Sequence, residues 1–344
     1  MNPRERFLAA LDLADVDRPP AFYQHLGGAR WVLQHSGTTM REGFGSAEAF
    51  VRICLSSRSV FGYDNVMAGW GDLLVEAHAH GTEWKFPERD FYPRVARFAV
   101  LEPSDVDRLE PVDPMDDEHW SVPLRAASLL GERLGGEAAV VGGIISPFFM
   151  AAQMRGFENL LMDAFTDRSM VERMIEVALR SSMMFADHAV EAGMEAVFID
   201  DSTATGQLVS PEMAADLDIA NLRPLISRMR DNGIRTIVHN DAMTPYLDLQ
   251  ASASPTCLHF CNSYVDVDAT IEGMRGRMCL MPGIDHQELM FRKTPEEIEA
   301  AVWSVSDIYG DAPGLIIAPG CELPFKTPME NITRLREACE RLRR

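Results

Sequence analysis

The chain is poor in positive charge, in long apolar runs and in regularly spaced cysteine, and each shortage closes off a class of protein. Its 344 residues carry a formal net charge of −20, whereas nucleic acid and anionic membrane surfaces both demand a positive footprint. No apolar run approaches the roughly 20 residues needed to span a bilayer. The opening Met1-Asn2-Pro3-Arg4-Glu5-Arg6 is charged and leads straight into an amphipathic helix, unlike a secretory signal. The six cysteines (Cys54, Cys257, Cys261, Cys279, Cys321 and Cys339) are scattered through a large chain. That pattern argues against a disulfide framework and fits reduced thiols in a cytoplasmic protein, some available to a metal. Cys54 and Cys339 sit in helical patterns and read as core. No Gly-x-Gly-x-x-Gly turn follows the first strands, which disfavours a doubly wound dinucleotide-binding sheet.

What is present is globular. Hydrophobic residues make up 47% and charged residues 24%, enough for one large α/β domain or two ordinary ones. Residues 4–12 predict a helix with Phe7, Leu8 and Leu11 on one face. Eight apolar runs then alternate with helical stretches: roughly 21–26, 63–68, 138–145, 196–201, 235–240, 257–262, 278–283 and 314–319. Strands of this doubly buried character, separated by helices, predict a (β/α)8 barrel spanning residues 1–344 as one domain. It carries an N-terminal helical extension and long loops at 26–45 and 82–117. Ser169, Ser210 and the Thr-Pro pairs 294–295 and 327–328 read as helix starts.

Three of the runs end in metal-binding residue types. Thr236-Ile237-Val238 runs into His239-Asn240-Asp241, Cys257-Leu258-His259-Phe260 into Cys261, and Gly314-Leu315-Ile316-Ile317-Ala318-Pro319-Gly320 into Cys321-Glu322. In a barrel the carboxyl ends of the strands converge on one site. The candidates gathered there are Tyr23, His25, Asp72, Glu76, Asp200, Asp201, His239, Asp241, Cys261, Asp285, Cys321 and Glu322. Each also has a plainer reading. His239 can be a hydrogen-bonded structural residue, Asp241 a cap for the next helix, Cys261 a barrel-lining thiol and Glu322 a solvated loop acid. Asp72 and Glu76 can stripe a helix. Asp200 and Asp201 are adjacent, so at most one faces the pocket; Asp201 is taken as the catalytic one, with Asp72 and Glu76.

Several segments resemble the uroporphyrinogen decarboxylase superfamily. They are Pro3-Arg4-Glu5-Arg6-Phe7-Leu8-Ala9-Ala10-Leu11 with Val16-Asp17-Arg18-Pro19-Pro20, the Asp72 to Gly81 segment, Gly142 to Pro147, Leu208 to Glu212, and Pro319 to Asn331. The decarboxylase branch carries Arg-Gln-Ala-Gly-Arg after the first strand, where this chain has Gln24-His25-Leu26-Gly27-Gly28. The planar fork of arginine donors that grips substrate carboxylates is therefore missing. The zinc-dependent, corrinoid-linked methyltransferase branch carries His-x-Cys after the fifth strand and Gly-Cys after the eighth. His239 and Cys321 match, while Asp241 stands at the middle ligand.

The resemblance implies zinc held by His239, Cys321 and one of Asp241 or Cys261, with Glu322 as a further candidate ligand and Tyr23 and His25 toward the substrate. It implies methyl transfer between a small methylated substrate (O-, S- or N-methyl, ether favoured) or a thiol and cobalamin. No Asp-x-His-x-x-Gly cobalamin signature occurs, so the corrinoid is expected on a separate partner protein. The alternative is a metal-free decarboxylase of an acidic substrate using Asp72. The oligomeric state, monomer or homodimer, is left open by the sequence.

Overall fold

The computed structural model describes residues 1–24, 29–86 and 92–342. The apolar runs lack alternation because both faces of their sheet are covered. In chain order the strands are β1 (Asn65–Ala68), the antiparallel pair β2 (Glu83–Lys85) and β3 (Arg94–Arg97), then β4 (Ala139–Ile145), β5 (Ala196–Asp200), β6 (Arg235–Asn240), β7 (Cys257–Cys261) and β8 (Cys279–Gly283). β1 and β4 to β8 make one parallel sheet in sequence order, with helices between successive strands.

Two further staves curl this sheet into the expected barrel, as single bridges rather than regular strands. Ala21 bridges Ile317, Leu315 bridges Leu280, and Pro319 bridges Ile284. Where the first stave meets β1, the physical reason is that side chains take over the ladder. Proline occupies positions 19, 20 and 319 and offers no N–H. The Ala21 N–H donates to the Asp64 carboxylate at 2.7 Å. Tyr23 N donates to Asn65 Oδ1 at 2.7 Å, and Asn65 Nδ2 returns a bond to Tyr23 O at 3.0 Å. One asparagine thus zips the seam where the ring closes.

The helix Pro3–Leu11 stoppers the amino-terminal end of the barrel. Asn2 and Glu5 form a reciprocal capping box at its start. Phe7 stacks on Phe22 at 5.7 Å, and Phe22 on Phe198 at 5.9 Å, within an interior that includes Met67, Val141, Ile237 and Ile316. Leu8, expected on the buried face, is only partly buried. Fully buried Asp64 accepts from Arg6 Nη1 at 2.8 Å and from Arg18 Nη1 and Nη2 at 3.0 and 3.1 Å. The opening motif is therefore structural: Arg6, Asp17 and Arg18 fasten the plug to β1 at the end away from the site.

Local expectations were met unevenly. Ser210 caps the helix at Pro211, and Thr294 with Glu297 forms a capping box for Pro295–Tyr309. Asp167, not Ser169, caps Arg168–Glu191, accepting from Met170 N. Ser169 lies inside that helix and turns its hydroxyl to Asp167 at 2.7 Å. Thr327 caps nothing, since its hydroxyl bonds Pro324 O at 2.7 Å. The loop 26–45 contains two helices, Ala29–Ser36 and Met40–Gly45. No described helix is long and apolar enough to cross a membrane.

Candidate metal centre at the mouth of the barrel

Side chains alternate along a strand, and the parity of β6 decides what enters the barrel. Ile237 belongs to the interior layer, so His239, two residues on, points the same way. The register places His239 beside Asp200 and beside His259. Its imidazole is fully buried, 5.0 Å from the ring of Phe198 and 4.6 Å from that of His259, on which it stacks. His259 Nε2 lies 2.9 Å from Pro319 O. A carbonyl accepts only, so that nitrogen carries the proton. The axis of the barrel is thus layered: the helical plug, the phenylalanines, two imidazoles, then the polar mouth.

Above the imidazoles, ligand atoms of His239, Asp241 and Cys321 all lie within 4.8 Å of one another. His239 Nε2 is 3.8 Å from Asp241 Oδ1. Asp241 is not a cap, because the next helix begins at Leu247. Ser202 Oγ lies 2.8 Å from Asp200 Oδ1 and 2.9 Å from Asp241 Oδ1. A single hydroxyl proton serves one carboxylate, and burial together with Asp72 and Asp241 raises Asp200 well above the usual range. Ser202 thus sits between the two carboxylates, and its N–H also donates to Asp200 Oδ1 at 3.3 Å. Burial, then Asp241, also raises the Cys321 thiol.

Gly320 lets these chains meet. A Cβ there would lie 2.8 Å from Cys261 Sγ, and one on Gly283 would lie 2.4 Å from Gly320 Cα. Cys261, proposed above as an alternative ligand, falls instead into an adjoining group with Asp285 and His286, also mutually within 4.8 Å. Its sulfur lies 3.2 Å from Ser263 Oγ, which donates to Asp285 Oδ2 at 2.5 Å. Glu322 is half-buried and takes the Tyr92 hydroxyl, so it belongs to neither group; burial pushes it up to about 8.

The acids divide by parity. Asp200, in step with Phe198, faces the mouth, whereas Asp201 turns outward, a correction to its catalytic assignment. Asp201 accepts from Gln250 Nε2 at 2.7 Å, and Thr203 Oγ1, 3.4 Å from Asp201 Oδ1, donates to Asp218 Oδ2 at 2.8 Å. It belongs to a packed network behind the sheet. Asp72 is exposed to solvent, and the protein packed around it, then Asp241, pushes it up to about 6. Glu76 is 2% exposed, its Oε2 has no hydrogen-bond partner among the described residues, and burial pushes it up to about 8. Leu74 between them holds φ at 67°, a left-handed conformation costly for leucine.

Tyr23 is also corrected. It lies 1% exposed in the core, 5.7 Å from Phe61 and 5.4 Å from Tyr63, and does not open toward a substrate. His25 lies outside the described residues. Sequence reasoning missed Gln24, Ser202, His259 and His286. Only the two histidines left a signal: His259 alternates with Cys257 and Cys261, and His286 follows the apolar run 278–283 (β8) beside Asp285.

The donor set suits a divalent ion. An imidazole nitrogen, a carboxylate oxygen and a sulfur converge, which is zinc chemistry rather than that of magnesium or calcium. Of the mouth acids, Asp241 has a histidine opposite it, with His239 Nε2 at 3.8 Å from its Oδ1. A dication is the group that would offset the upward pull of burial on Asp72 and Asp200.

The family model described as Uroporphyrinogen decarboxylase (URO-D) matches residues 2–342, and the chain belongs to that family. It is 25% identical to a methylcobamide:CoM methyltransferase of Methanosarcina mazei, covering 99% of this chain and 98% of the relative. It is 21% identical to a uroporphyrinogen decarboxylase of Pseudoalteromonas atlantica, covering 95% and 93%. Among solved structures, a methyltransferase from Methanosarcina mazei superposes with a TM-score of 0.89 at 22% identity, covering 99% of this chain and 98% of that one. This last likeness bears out the barrel fold.

Proposed function

We propose that this member of the family transfers a methyl group between a small methylated substrate or thiol and the cobalamin of a separate corrinoid protein, at a zinc site held by His239, Asp241 and Cys321. The convergence of those three donors at the strand ends is the observation that carries the reading. Zinc bound there supplies a Lewis acid that eases charge development on the substrate heteroatom. The relatives named methylcobamide:CoM methyltransferases support the same reaction class. Decarboxylation is less well supported, since no described guanidinium pairs with a mouth acid and the arginine-bearing segment is absent.

The chain's own residues have separable tasks. Phe198 and stacked His259 fix the His239 ring, and Pro319 O fixes His259 in turn. Ser202 orients the Asp241 carboxylate. Methyl transfer out of a substrate leaves an electron pair on oxygen, sulfur or nitrogen, which then takes a proton. Asp72, exposed beyond β1 with its acidity moved to about 6, is placed to supply that proton and to accept it in the reverse direction. Asp241 in place of a thiolate makes the site richer in oxygen, which favours activation of an ether over a thiol. The test follows methylation of cob(I)alamin, free or on a corrinoid protein, by its visible spectrum with methyl ethers, thioethers and amines. Zinc-loaded protein should catalyse it and His239→Ala should not. Carbon dioxide release without cobalamin would replace this reading with the decarboxylase.

A further inference from the structure

Gln24 stands at the metal-binding group although no pattern in the sequence marks it. It is 1% exposed. Its Nε2 lies 3.5 Å from His239 Nε2 and 3.9 Å from Cys321 Sγ. Its Oε1 is buried with no hydrogen-bond partner among the described residues. Around a tetrahedral zinc with bonds of about 2.0–2.1 Å to nitrogen or oxygen and about 2.3 Å to sulfur, donor atoms stand roughly 3.3–3.7 Å apart. The distances from the Gln24 amide to His239 and Cys321, and the 3.8 Å from His239 to Asp241, are close to those edges. The end of Gln24 therefore stands at tetrahedral-edge distance from two members of the group, His239 and Cys321, that Asp241 completes.

We propose that the Gln24 carboxamide oxygen is the fourth donor to the metal in the resting protein, an inference that rests on the zinc reading above. An amide NH2 bonds an imidazole nitrogen through its lone pair, the same lone pair a metal takes. Once a cation is there, two N–H groups aimed at it are repelled, and half a turn about the last side-chain torsion exchanges nitrogen for oxygen. Neutral carbonyl oxygen is the weakest donor in the set and hence the one an incoming substrate heteroatom displaces. The site is then closed to water at rest and opens on substrate binding without losing His239, Asp241 or Cys321.

The test is made on the purified full-length chain by competition with a chromophoric chelator and by the visible spectrum of the cobalt(II)-substituted protein. Neither readout depends on activity. Gln24→Met, of similar length but without oxygen, should weaken zinc binding by at least about tenfold and change the cobalt bands. Gln24→Glu should restore both. Gln24→Asn, which retracts the amide by one carbon, is the second variant should the methionine form not fold, and should show the same loss. Wild-type affinity and spectrum in the folded Met or Asn variant would overturn the assignment of Gln24 while leaving the zinc reading intact. A wild-type chain that binds no zinc would overturn both.

Discussion

Single residues decide most here, and parity is the reason. Asp200 and Asp201 look equivalent in sequence, yet counting by twos from Phe198 puts only Asp200 in the barrel; the apolar run hides this because both faces are buried. His239 and Cys321 were legible because buried strands seldom end in such residues without use. Gln24 was not, since an amide after a short strand has no characteristic spacing. Asp64 carries the heaviest structural burden. Replacing it with alanine removes the buried carboxylate that Arg6 and Arg18 share and leaves Arg6 to the partly exposed Asp17; loss of one partner from a buried ionic group costs about 3–5 kcal/mol. Urea unfolding should show that loss with little change in zinc affinity.

Glu76 gives a pH signature at the same scale. Its ordinary value of 4.5 rises to about 8 in the fold, so the native state holds its proton more tightly than the unfolded chain. Its contribution is fully present below about pH 4.5 and is lost as pH climbs through about 8. In metal-free protein, Glu76→Gln should therefore gain stability relative to wild type between pH 5 and pH 9. Urea midpoints at the two pH values check it; a constant gap would mean that Glu76 is ionised throughout.

At the scale of elements, the staves were readable and their edges were not. The apolar runs located all eight, but nothing in Ala21-Phe22-Tyr23 announces that Asp64 and Asn65 take its N–H groups. Similarly, Asp167 and Ser169 both suit a helix start, and only the observed helix boundary chooses between them. The Pro319-Gly320-Cys321 turn shows how tightly the last stave is set against its neighbours. Gly320→Ala drives a methyl toward Cys261 Sγ at 2.8 Å. It should destabilise the fold by about 1–3 kcal/mol and weaken zinc binding by shifting Cys321. A thermal melt and a chelator competition on the same variant check both; unchanged zinc affinity would show that the turn yields without moving the thiol.

For the whole molecule, charge and layering give the broadest expectations. The polar mouth lies at one end of a barrel whose other end is stoppered by an aromatic plug, so binding there is linked to the fold above the plug. At zinc concentrations of 100 times Kd, the linkage amounts to about 2.7 kcal/mol. Stripping the metal with a chelator should lower the melting temperature accordingly, and added zinc should restore it. The most direct test is the zinc content of the purified chain and of its His239→Ala and Cys321→Ser variants, measured by elemental analysis. One zinc per wild-type chain and little in either variant is the predicted result; undiminished zinc in both variants would contradict the account.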